Sequence, residues 1–145
     1  MAAERTAQVS WSGSLMEGSG TIESTGSGAL TNLPVTWVSR SEADEDGRTS
    51  PEELIAAAHA SCFSMALSHG LAQQGTPPDK LTVKATSTFI PGTVITQMHL
   101  EVRGRVEGLD EAKFTQAAEQ AKENCPVSQA LKGNVELSVT AQLEA

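Results

Sequence analysis

Between Leu54 and Leu67 the chain carries only three polar residues, His59, Ser61 and Ser64, among Leu, Ile, Ala, Cys, Phe and Met. Directly before this stretch stands Ser50-Pro51-Glu52-Glu53. Ser50 suits an N-cap, and Pro51 suits the first helical position, where a missing N–H is harmless. Glu53, three after Ser50, completes a capping box, and both glutamates sit at the positive end of the helix dipole. A helix is therefore predicted from Pro51 to about Gln74, stopping before Gly75 and Pro77-Pro78, with Gly70 its weak point. A helix apolar almost all round must be covered on every side. A chain of 145 residues does this only narrowly, and a dimer interface does it more readily. The serines at 61, 64 and 68 interrupt the apolar stretch, which on this reading falls short of the roughly 20 residues of a membrane span.

The flanking segments read as strands and a second helical region. Ala7, Val9 and Trp11 alternate with polar residues, which suggests a first strand with one buried face. Thr21 to Ser24 reads as a second strand and Thr36 to Val38 as a third. Ser41 to Arg48 (SEADEDGR) reads as a solvated acidic loop. Leu81, Val83, Ala85, Ser87 and Phe89 share one face of a long strand. After Pro91-Gly92, Met98, Leu100, Val102 and Val106 share the face of another, so the two form a hairpin. Asp110 caps a helix with the stripe Phe114, Ala117, Ala118 and Ala121, which Cys125 continues. Pro126 ends it. A short helix over Val127 to Lys132 and a closing strand from Val135 to Leu143 complete one domain over 1–145. The class is α+β with mainly antiparallel sheet.

Charge narrows the partners. The net charge is −8 and only 3% of residues are aromatic. Such a chain has neither the basic patch nor the stacking residues that nucleic-acid binding uses, and an anionic membrane would repel it. The segment Met1 to Ser10 has no apolar core of signal-peptide length, so a soluble cytoplasmic protein is expected. There a standing structural disulfide is unusual, and the two cysteines, Cys62 and Cys125, need another explanation.

Taken alone, Cys62 is a small buried hydrophobe: burial raises a thiol pKa, and the start of its own helix is roughly 18 Å away. To react it needs a cation delivered from elsewhere. Cys125 has two readings. It either caps the short helix after Pro126, where backbone N–H groups favour a thiolate, or it ends the apolar stripe in the core. Zinc is a weak alternative, since His59-x-x-Cys62 is a single half-site and no Cys-x-x-Cys pair is present. The glycines between Gly13 and Gly28 precede strands rather than a helix and make no phosphate loop.

Two segments are specific. Thr49 to Leu67 reads TSPEELIAAAHASCFSMAL, and Asn124 to Leu131 reads NCPVSQAL. With the length and element order of the whole chain, they resemble the OsmC/Ohr family of peroxide-reducing proteins. His59 in the HAxC segment favours the OsmC branch. The resemblance implies an intertwined homodimer whose mainly antiparallel sheet wraps a long central helix. It also implies a cysteine-based hydroperoxide reductase that uses no cofactor and no metal. Cys62 falls on the family's peroxidatic cysteine, Cys125 on its resolving cysteine and Glu52 on its active-site glutamate. The family arginine lies upstream, with Arg40 the best match and Arg48 the backup.

This chemistry is physically coherent. An arginine supplies the cation that Cys62 lacks and donors for the departing oxygen, and Glu52 would fix it through a bidentate pair. Cys62 becomes a sulfenic acid, Cys125 condenses with it to a disulfide, and an external dithiol, lipoyl-type compounds included, resets the pair. Leu54, Phe63 and Met65 offer an apolar lining suited to an organic hydroperoxide. Glu52 and Cys62 are ten residues apart on one helix, roughly 15 Å along its axis, so Glu52 is expected to serve Cys62 of the other subunit. His59 reads as a hydrogen-bonded interface residue or a tuner of the thiol. Two other readings stand beside the peroxidase: a redox-sensing or ligand-binding protein without turnover, and a non-enzymatic structural dimer.

Overall fold

The computed structural model describes residues 1–42 and 47–144. Most of the acidic character of the 41–48 segment therefore lies outside the described residues. The chain divides into two compact units, 1–54 and 55–145.

The first unit contains an antiparallel sheet of β1 (Ala7–Ser12), β2 (Ser19–Thr25) and β3 (Thr31–Val35), in that order. The alternation in β1 does form a strand, but not one with a buried face: all six of its residues are exposed, and Val9 and Trp11 stand out from it. It is an edge strand with a partner on one side only. The third strand lies earlier than the 36–38 reading, because Thr36 is taken by a different job. It caps the five-residue helix α1 (Trp37–Ser41), accepting from the Ser39 N–H while the Ser39 side chain accepts from the Thr36 N–H. This reciprocal box ends the extended backbone at Val35. The Ser39 hydroxyl lies 2.9 Å from the Thr36 carbonyl oxygen and 3.0 Å from that of Thr49. Its one proton serves one of them at a time.

Helix α2 spans Pro51–Gln73 and runs through Gly70 without a break. Ser50 caps it, with its Oγ accepting from the Glu53 N–H at 3.1 Å. The Glu53 carboxylate does not return to Ser50; it accepts from the Thr49 hydroxyl at 3.0 Å, so the box is half made. By length and composition α2 is apolar enough to cross a membrane, a property shared by core helices of soluble proteins.

In the second unit Phe63, Leu67 and Leu71 of α2 are buried in the main core. That core is completed by a sheet of β4 (Lys80–Phe89), β5 (Ile95–Arg105) and β6 (Glu136–Leu143), and by helix α3 (Glu111–Asn124). The expected hairpin is present, and its predicted inner face is the inner face. Asp110 caps α3, accepting from the Lys113 N–H at 2.8 Å. Phe114, Ala117, Ala118 and Ala121 are buried as one stripe. The ring of Phe114 lies directly on β5, because position 104 is glycine: a Cβ there would stand 2.5 Å from Phe114 Cζ.

The closing strand holds a difference. β6 pairs with β5 in parallel, Gln97 opposite Glu136 through Gly104 opposite Leu143. A parallel neighbour cannot be reached by a tight turn and needs a helical crossover. Helix α3 and the short α4 (Pro126–Leu131) make that crossover. The other three strand pairings are antiparallel.

Candidate functional site

The first unit brings Arg40 and Glu52 together. Arg40 sits in the last turn of α1 and Glu52 in the first turn of α2. Arg40 Nε donates to Glu52 Oε1 at 2.9 Å. Glu52 is buried, with 7% of its surface exposed, and its Oε2 makes no hydrogen bond. The contact therefore runs through one carboxylate oxygen, not through the two-point fork expected from the sequence. An oxygen buried without a donor is costly and leaves an acceptor site available. Of the two candidate arginines, Arg40 is the one whose bond to Glu52 is formed here; Arg48 lies half-buried just before Thr49.

The second unit brings the two cysteines together. Both are free thiols. Cys62 is half-buried on α2, and Cys125 is fully buried in the main core at the junction of α3 and α4. Cys125 occupies the N-cap position of α4, but its side chain makes no capping bond. The core reading of Cys125 thus holds over the capping one. Cys62 packs against the core cluster to which Cys125 belongs, with Val127 of α4 packed against the same cluster. Burial pushes the Cys62 thiol above its ordinary value, the hydrogen bond and charge of Cys125 push the same way, and the Val127 N–H opposes them. Among the described residues of its own unit, the groups that shift Cys62 are Cys125 and Val127, and no cation is among them.

One turn from the thiols lies a second cross-link between α2 and α4. His59 Nε2 is 2.8 Å from Ser128 Oγ, and both side chains are fully buried. Burial lowers the His59 pKa below its ordinary 6.5, so the ring is held neutral. His59 is accordingly a hydrogen-bonded interior residue. Sequence reasoning missed Ser128. The signal was spacing: Ser128 follows Cys125 by three, as Cys62 follows His59 by three.

The apolar lining read from sequence is not assembled. Phe63 is fully buried in the core, whereas Met65, two positions on and turned by about 200°, is 72% exposed. Along α2 the exposed positions Ala58, Ser61, Met65, His69 and Ala72 follow helical spacing and form an uncovered, largely apolar stripe.

Comparison with known proteins fits this geometry. The family described as OsmC-like protein matches residues 43–140. The chain is 39% identical to the peroxiredoxin OsmC of Escherichia coli K12 over 140 residues, 94% of this chain and 96% of that one. It is 33% identical to an organic hydroperoxide resistance protein of Xanthomonas axonopodis over 98 residues, covering 63% of this chain and 66% of the relative. Among solved structures, an organic hydroperoxide resistance protein from Elizabethkingia anophelis superposes with a TM-score of 0.69 at 23% identity, covering 99% and 100% of the two chains. One from Legionella pneumophila gives 0.62 at 23% identity, covering 97% of each. These structural likenesses fix the fold, and the sequence relatives fix the lineage: the chain belongs to the OsmC-like family.

Proposed function

We propose that this protein is a cysteine-based peroxidase that reduces organic hydroperoxides, hydrogen peroxide more weakly, and is reset by an external dithiol such as a lipoyl-type compound. The observation that carries this reading is that the two free thiols come together in one core, Cys62 of α2 packing against the cluster that contains the buried Cys125. The names of the peroxiredoxin and hydroperoxide-resistance relatives support it. The Cys62 thiolate attacks one peroxide oxygen. An S–O bond forms, the O–O bond breaks, and the departing alkoxide takes a proton and leaves as the alcohol. The Cys125 sulfur then attacks Cys62 Sγ. The S–S bond forms, the S–O bond breaks, and the oxygen leaves as water with the Cys125 proton. Exchange with the dithiol returns two thiols and oxidises the dithiol.

The working unit of this proposal is a homodimer, soluble and cytoplasmic. Glu52 and Cys62 ride on the same helix ten residues apart, roughly 15 Å along its axis. Arg40 and Glu52 of one subunit therefore act on Cys62 of the other. The arginine lowers the thiol pKa and binds the developing alkoxide, and Glu52 orients it. The uncovered stripe on α2 supports a two-fold contact. The test is peroxide consumption with cumene hydroperoxide and excess dithiol. Wild type should turn over, Cys62→Ser should be inactive, and Cys125→Ser should be rapidly inactivated by over-oxidation. Oxidation of the thiols without turnover would instead identify a redox sensor, and thiols that stay reduced would overturn the site assignment.

A further inference from the structure

Cys62 of α2 packs against the core that holds Cys125 at the start of α4, and His59 of α2 meets Ser128 of α4. On α2 the histidine precedes the cysteine by three residues; on the α4 side the cysteine precedes the serine by three. The two segments thus run antiparallel, and the contacts lie one helical turn apart. We propose that the His59–Ser128 hydrogen bond is a clasp that holds α4 in register on α2, so that Cys125 captures oxidised Cys62 before a second peroxide does. His59 and Ser128 are on this view positioning residues. The inference rests on the thiol pair acting as a redox couple, as in the proposed function.

The need for a clasp follows from α4 itself. It has six residues, too few to be stable alone, and its N-cap side chain makes no bond to it. Its ends are tied along the chain, by Cys125 N–H to the Ala121 carbonyl before it and Val135 N–H to the Leu131 carbonyl after it, and Gln129 ties it to the end of α3, so these bonds fix α4 on α3 and not its register on α2. The side-chain hydrogen bond that ties its interior to α2 is the one from His59. Its partners are 69 positions apart in sequence, and neither is open to water. A bond in so dry a setting is not exchanged for water, so losing it leaves a buried polar group unmet. The His59 Nδ1 is already buried with no hydrogen bond. A leucine would fill the space without that cost, which argues that the imidazole is kept for its bond to Ser128. The ring is neutral and contributes no charge, so its effect on Cys62 is geometric.

The register matters at one step. When Cys125 attacks the Cys62 sulfenic acid, the S–S bond forms and water leaves, and the rate depends on how well the sulfurs are held together. Peroxide attack on Cys62 consumes no group of Cys125, whereas disulfide closure cannot proceed without it. A loosened clasp should slow the second step and spare the first.

The experiment uses the full-length protein equilibrated in glutathione redox buffers, with the Cys62–Cys125 disulfide quantified by mass spectrometry. Ser128→Ala should lower the effective concentration of the thiol pair by about tenfold or more, and Ser128→Thr, which keeps the hydroxyl, should restore most of it. In parallel, Ser128→Ala treated with cumene hydroperoxide should accumulate more Cys62 sulfinic acid per turnover, while the single-turnover rate of first oxidation changes less than about twofold. Should Ser128→Ala fail to fold, His59→Gln against His59→Leu asks the same question, since glutamine reaches Ser128 and leucine does not. A thiol–disulfide equilibrium unchanged in Ser128→Ala, or lost equally in Ser128→Thr, overturns the clasp. The glutathione equilibrium needs no peroxide. A wild type that forms the disulfide but spares peroxide therefore defeats the peroxidase reading alone, and one that forms no disulfide defeats both.

Discussion

At the level of single residues, the groups to which the proposal assigns the chemistry sit in sharply different environments. Arg40 is partly open and permanently charged, and it reaches a carboxylate that is nearly closed off from water. Removing it should cost far more in rate than in stability. Arg40→Ala should lower kcat/KM for cumene hydroperoxide by roughly 10²–10³, the usual scale for losing one donor to a developing oxyanion. Arg40→Lys should recover only part, since an ammonium lacks the fixed fork; stopped-flow peroxide reduction measures both. His59 makes the opposite case, a titratable group kept uncharged. Its folded pKa lies below 6.5, so the unfolded chain binds its proton first as pH falls. The stability His59 allows is complete above about 6.5 and is lost as pH drops through that range. Urea midpoints of wild type should fall between pH 7.5 and 5.5, and His59→Gln should remove part of that slope. The cysteines and Glu52 were singled out because they lie in dense motifs, and of the two arginines named upstream it is Arg40 that bonds Glu52. Ser128 was not singled out, because a serine inside a short helix has no periodic signal until its partner is known. The one-oxygen Arg40–Glu52 contact was equally unreadable, since sequence gives the pairing of charges and not the angle at which they meet.

At the level of elements, patterning predicted the long helix, the hairpin and the stripe of α3 because each repeats over many residues. It failed where a single side chain decides. Thr36 belongs to a β-friendly run by composition, yet its hydroxyl caps α1, and a cap outweighs three residues of strand propensity. The Ser50 box was half right because Glu53 has a nearer donor in Thr49. Gly104 interrupts the apolar face of β5 at the place where Phe114 enters. Gly104→Ala should lower unfolding free energy by about 1–3 kcal/mol, the range for overpacking a filled core. Urea denaturation checks this, and an unchanged midpoint would mean that Phe114 can move aside freely.

For the molecule as a whole, sequence indicated that one chain covers α2 only narrowly, and in the structure the positions Ala58, Ser61, Met65, His69 and Ala72 are exposed. What it did not reveal is the parallel pairing of β6, because strand direction is set by the crossover and leaves no mark on the strand's own alternation. The proposed exchange of residues between subunits has a decisive mixing test. Cys62→Ser and Arg40→Ala proteins, each inactive alone, are combined and allowed to exchange subunits. Half the dimers are then mixed, and each mixed dimer holds one intact composite site, so about a quarter of wild-type activity should return. If Arg40 serves the cysteine of its own chain, none returns.

The parallel β6 also sets an order of events. Residues 136–143 complete the sheet, and Cys125 sits in the crossover that leads to them. A chain growing from its N-terminus releases α2 and the β4–β5 hairpin well before either arrives. Every newly made molecule therefore passes through an interval on the ribosome when Cys62 is already translated but Cys125 is not. On the proposed mechanism, Cys62 oxidised in that interval would have no partner thiol within its own chain.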